Sequence, residues 1–235
     1  MDFEDELNQA AKGAYRRGQV ERALWRWATT ADRVREPPPV FLVRIKRLLE
    51  IDREGKDKKA EDTAFYSELP RGTGTDVAYS AFNVFCLAIG LDLLDAGFKQ
   101  AEVVTLLQNW REQLAMAFDQ ILRSPPVPRK RLKPSQRLGS PTVEHGGGTY
   151  ADCRVYAVIE KIEMTEIFAG HPGAPPKGKP LIRTPKIVRG IEALTEALEP
   201  LPYRQRKAIV LEIAHTAVVV TLRLNQEPAI KRGRQ

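Results

Sequence analysis

FYSELPRGTGTDVAYSAFNVFCLAIGLDLLDAGFKQAEVVTLL, residues Phe65 to Leu107, decides how the fold is read. Pro70, Gly72 and Gly74 cluster between two short runs of strand character, Ala64 to Glu68 and Asp76 to Tyr79, so turn chemistry predicts a β-hairpin. Ser80 stands where a helix N-cap belongs. Phe82, Phe85, Cys86, Ile89 and Leu93 follow at three- and four-residue steps, which predicts a helix with one apolar face. Gly97 is placed to stop that helix, and Lys99-Gln100-Ala101-Glu102 restarts one carrying Val103, Val104, Leu107 and Trp110 on one side.

Working outward, Tyr15 to Ala28 sets Val20, Ala23, Leu24 and Trp27 at helical spacing, and Pro37-Pro38-Pro39 breaks the chain before a second helix, Val40 to about Arg53. Burying Phe41, Ile45 and Leu48 turns Lys46, Arg47, Glu50 and Arg53 outward, so the exposed face of this second helix is net basic. Helix, connector, basic helix and hairpin is the order of a winged helix-turn-helix, whose second helix enters the major groove while the wing lies along the backbone. On the far side of the corner, Leu107, Trp110, Leu114, Ala117 and Ile121 keep the three- and four-residue steps of a coiled-coil seam, a pattern that a globular core helix also gives over two heptads.

The hairpin, the apolar helix and Leu94-Asp95-Ala96-Gly97-Phe98-Lys99-Gln100-Ala101-Glu102 together resemble the MerR-like winged helix-turn-helix regulators over about residues 15–122. The resemblance implies a sequence-specific transcriptional regulator of double-stranded DNA, acting as a homodimer through a long helix after the corner. It also implies an effector that alters DNA geometry, although no effector pocket is legible in these residues. Lys46, Arg47 and Arg53 are the expected groove contacts, with Arg17 and Arg71 on the backbone. This chain departs from the pattern in its long connector, Thr29 to Pro39, and its charged run, Glu54 to Thr63. Its wing also offers only Arg71 as a positive charge.

Composition sets the outer bounds. The 235 residues hold one large or two modest domains, and 43% hydrophobic content suffices for cores. A net charge of +7 points to an acidic partner, with nucleic acid first and an anionic membrane second. Met1 to Glu6 is acidic, with no secretory pattern, and the apolar run Ala208 to Leu224 is broken by Glu212, His215 and Arg223. The expectation is a cytoplasmic chain with no membrane partner.

Cys86 lies on the apolar helix face and reads as a small hydrophobe. His145, Cys153 and His171 match no closed zinc spacing, and Gly146-Gly147-Gly148 lacks the Lys-Ser/Thr of a phosphate loop. No catalytic residue, metal or cofactor is nominated, and Trp25, Trp27 and Trp110 read as packing residues.

The expected fold is mainly α with a small β-hairpin wing, plus a smaller C-terminal α+β or helical domain. Its parts are a DNA-binding domain over 1–106, a dimerisation helix over 107–123, a basic linker over 124–150 and a second domain over 151–235. In the linker, Arg129, Lys130, Arg131 and Lys133 are candidates for tracking phosphates. In the last part, Cys153 to Phe168 suits strand, Ile187, Ile191, Leu194 and Leu198 mark a helix, and a longer helix runs from about Tyr203 to Asn225, with Val218-Val219-Val220-Thr221 open to strand instead. The rival reading is a protein-interaction scaffold with a basic surface. An enzyme acting on nucleic acid ranks third, because no carboxylate cluster nominates a metal-assisted reaction.

Overall fold

The computed structural model describes residues 3–29, 36–54, 59–69, 77–125, 144–145, 148–149, 154–162, 181–182, 185–199 and 207–228. Two compact units emerge, one built from Met1–Arg123 with His215–Gln235 and the other from Ser124–Ala214. Among the described residues the chain is mainly helical, with small antiparallel sheets.

The first unit contains α1 (Phe3–Ala11), β1 (Ala14–Tyr15), α2 (Arg17–Ala28), α3 (Pro39–Arg53), β2 (Tyr79–Ser80), α4 (Ala81–Asp95) and α5 (Gln100–Arg123). Helix α4 is its hub, packing against α1, α2, α3 and α5. The sequence pattern predicts one apolar face here, but α4 is buried nearly all round, from Asn83 through Leu91 and at Leu93. A helix enclosed on every side carries little amphipathic signal. At Gly90 an added Cβ would stand 3.4 Å from Leu48, Val103 and Leu107, which is how closely α3 and α5 approach α4.

Both ends of α4 follow the expected capping chemistry. Ser80 Oγ accepts from the Asn83 N–H at 3.2 Å, and Asn83 Oδ1 accepts from the Ser80 N–H at 3.1 Å. At the C-terminus Gly97 adopts φ 88°, its N–H bonds Leu94 O, and the Phe98 N–H bonds Leu93 O. Nothing stands within 4 Å of a Cβ built at Gly97, so only backbone conformation opposes a side chain there. Gly97→Ala is expected to cost about 1–2 kcal/mol, the left-handed penalty for an L-residue, read as a lowered urea midpoint with unchanged m-value.

The hairpin does not form as expected. Tyr79–Ser80 pairs with Ala14–Tyr15, not with the run from Ala64 to Glu68. That run has spent its backbone polar groups on side chains. Asp52 accepts from the Ala64 and Phe65 N–H groups at 2.9 and 2.8 Å, and Arg111 donates to the carbonyls of Ala64 and Tyr66 at 2.6 and 3.1 Å. A backbone so engaged has few groups left for a strand ladder. The turn residues Pro70, Arg71, Gly72, Gly74 and Asp76 lie outside the described residues.

The spacing on α5 is met by core packing. Leu107, Trp110, Leu114, Ala117 and Ile121 are all buried within this chain's own core. Helix α5 packs on α3 and α4, and Phe118 meets the rings of Phe82 and Phe85 at 5.8 and 5.1 Å. The same spacing that serves a two-helix seam serves a helix packed inside a globular unit, and here the unit claims it.

In the second unit β5 (Val155–Ile162) is central. It pairs antiparallel with β8 (Lys207–Glu212) on one side, and with β6 (Leu181–Ile182) and β7 (Lys186–Arg189) on the other. Helix α6 (Gly190–Leu198) lays Leu194, Ile191 and Ala197 over Tyr156, Val158 and Val188. Residues Val155 to Glu160 are buried on both faces, so the irregular alternation of the sequence reflects a strand covered on each side. Two expected helices begin instead as strands. Ile187 lies in β7, and the segment expected to be helical from Tyr203 pairs with β5 over Lys207–Glu212 before α7 (Ile213–Gln226) begins. From His215 onward the chain belongs to the first unit, whereas the sequence reading runs the second domain on to residue 235. Within the stretch expected to be linker, β3 (Glu144–His145) pairs with β4 (Gly148–Thr149) as a two-residue ladder.

Candidate nucleic-acid interface

Helix α3 presents two unlike faces. Phe41, Ile45, Leu48, Leu49 and Asp52 are buried, while Val40, Val43, Arg44, Lys46, Arg47, Glu50 and Arg53 are exposed. Pro39 at its first turn supplies a preset φ without wasting an N–H. Trp25 of α2 meets Phe41 edge-on at 5.2 Å, so α2 braces the start of α3. At the other end, Asp52 also accepts from Gln108 Nε2 of α5 at 2.8 Å. The basic face is therefore held at both ends by side chains on the opposite face.

Of the expected groove contacts, Lys46, Arg47 and Arg53 come together on this surface. Lys46 Nζ lies 3.6 Å from Glu50, and Arg44, which the sequence reading passed over, bonds Asp95 at 2.8 Å. Both pairs are solvent-exposed and are worth little, so neither immobilises its cation. Among the described residues Arg47 has no carboxylate or hydrogen-bond partner. Arg17 is half-buried on α2 and bonds Glu21 at 2.8 Å, and like Arg53 of α3 it acts on the Tyr66 and Tyr79 side chains. Arg71 and the linker cations Arg129, Lys130, Arg131 and Lys133 lie outside the described residues.

Charge is shared unequally between the units. The first holds 22 lysines and arginines against 21 aspartates and glutamates, and the second 15 against 9. Most of the basic excess thus belongs to the second unit, and the α3 face is a local feature of a nearly neutral one. Two further cations, Arg22 and Arg26 of α2, are spent on Glu227, at 2.9 and 3.0 Å.

Asp92 stands close to the Arg44–Asp95 pair at the edge of this surface. Burial, followed by the neighbouring Asp95, pushes Asp92 in the last turn of α4 up to about 6. Its folded pKa lies above its unfolded one, so the stabilisation is complete below about pH 4 and is lost as pH rises through about 6. Asp92→Asn is therefore expected to raise stability above pH 6 by ~1–2 kcal/mol and to leave it unchanged near pH 4, measured by urea unfolding at each pH.

The remaining chemistry is sparse. Cys86 is fully buried, and burial pushes its thiol up to about 12, as befits a packing residue. Among the described residues no three His, Cys, Asp or Glu side chains converge as metal ligands, and no helix is long and apolar enough to cross a membrane. Compared with protein-family models, curated proteins and solved structures, the chain matches none.

Proposed function

We propose that this chain binds double-stranded DNA sequence-selectively as a transcriptional regulator, inserting α3 into the major groove. The observation that carries the reading is the exposed basic face of α3, with Arg47 at its middle unpartnered among the described residues and the helix braced from behind by Trp25, Asp52 and Gln108. Guanidinium groups suit both phosphate and guanine, and a braced helix loses little freedom on docking. The second unit supplies further positive charge for sequence-independent phosphate attraction. The α5 seam is not carried forward as a dimer contact, because its five residues are consumed in the core.

The test is duplex binding by fluorescence anisotropy across salt. Affinity is expected to fall steeply between about 50 and 200 mM salt, and removing Arg47 and Arg53 together should reduce the log–log slope by about 2. A chain without duplex affinity at low salt, or one whose binding ignores salt, rejects the reading in favour of a protein-binding scaffold.

A further inference from the structure

Val40 and Val43 are the unexplained residues of α3. Their relative exposures are 66% and 43%; Val43 stands nearly opposite the buried Phe41, Ile45 and Leu48, and Val40 at the flank of that buried face. Valine has no solvent-facing advantage there: it is a poorer helix former than alanine, and its branched side chain is stiff. With Arg47 the two valines form an i, i+3, i+7 stripe along one side of the helix. Exposed Arg44, Lys46 and Arg53 flank that stripe with positive charge.

We infer that this stripe reads thymine methyls next to a guanine in the major groove, an inference that rests on the duplex-binding reading above. The thymine C5-methyl is the apolar group displayed on the floor of that groove, and guanine offers the acceptor pair that a guanidinium matches. Residues three apart rise about 4.5 Å along a helix, on the order of the ~3.4 Å spacing of bases on a strand, so Val40 and Val43 meet neighbouring base pairs. Arg47, one turn further on, meets the guanine beyond them. The flanking cations complement the phosphates on either wall. The N-terminal half of a recognition helix is where base edges are met, and both valines lie there.

The test starts from duplexes selected from a random pool by the full chain. Each thymine of the selected site is then replaced singly by deoxyuridine, which removes the methyl and leaves the base pair intact. At two adjacent positions binding should weaken about fourfold, the change that burying one methyl-sized group corresponds to. Val40→Ala should abolish that sensitivity at one position and Val43→Ala at the other, with the salt slope unchanged. Both sites are exposed and alanine is the better helix former, so these variants should melt no lower than the parent. Duplex binding with normal salt dependence but no uridine-sensitive position overturns the thymine inference and leaves the duplex reading standing, as does sensitivity that survives in the double variant. Failure to select any duplex overturns both.

Discussion

Asp52→Ala is expected to cost the first unit about 4 kcal/mol, a large share of the ~5–15 kcal/mol that holds a typical domain together. The carboxylate is fully buried and accepts three hydrogen bonds, from the Ala64 and Phe65 N–H groups and from Gln108 Nε2. Bonds to a charged acceptor are worth about 1.5–3 kcal/mol each, and alanine would leave buried donors unsatisfied. Asp52→Asn, which retains one acceptor oxygen, should lose about half as much. All three tryptophans, Trp25, Trp27 and Trp110, lie in the first unit, so tryptophan fluorescence against urea reports this unit separately. A loss under about 1 kcal/mol would show that water or repacking replaces the carboxylate. Under the proposed function the effect should extend to duplex affinity, because Asp52 anchors the C-terminal end of α3 to α5 and to Ala64 and Phe65.

Local chemistry explains which parts of the fold were legible in the sequence. The α4 cap at Ser80, the Gly97 corner and the two faces of α3 each depend on residues within a few positions, and all three form as the spacing predicts. The hairpin failed because Asp52 and Arg111, distant in sequence, claim the backbone of Ala64 to Tyr66. The strand over Lys207–Glu212 was hidden for the same reason: its partner β5 lies some fifty residues away, and pairing overrides local helical spacing. The spacing on α5 left a seam and a core helix equally open, because periodicity identifies a buried face without identifying what buries it.

The candidate site was partly legible. Helical spacing alone placed Lys46, Arg47 and Arg53 outward, and the same wheel would have added Arg44, Val40 and Val43 had apolar residues on the outer face been followed. An aspartate four residues beyond Leu48 and seven beyond Ile45, on the apolar face, was the available sign that Asp52 is buried and bonded. Nothing local marks Arg22 and Arg26 as unavailable for phosphate, since their partner lies at the other end of the chain.

That partner gives the second large effect. Glu227→Ala is expected to cost about 3 kcal/mol, toward the lower end for breaking a buried pair because both arginines keep some solvent. The Glu227 side chain is 1% exposed, while Arg22 and Arg26 retain 16% and 25%. Arg22 Nε donates to Oε2 at 2.9 Å, and Arg26 Nε faces Oε1 at 3.0 Å as a charge contact without hydrogen-bond alignment. Two backbone contacts reinforce the clasp: Gln19 Nε2 donates to Glu227 O, and Arg22 Nη2 to Pro228 O, each at 2.9 Å. These survive the alanine change, so deleting the chain from Glu227 onward should destabilise more than the point variant does. A double-mutant cycle of Arg22→Ala with Glu227→Ala should show a coupling of about 2 kcal/mol, and additivity within ~0.5 kcal/mol would mean that the clasp contributes only packing. Under the proposed function, freeing Arg26 and the Arg22 Nε should also make Glu227→Ala bind duplex more tightly at low salt while it unfolds more easily. Opposite movement of affinity and stability would identify Glu227 as the residue that withholds the charge of α2 from an acidic partner.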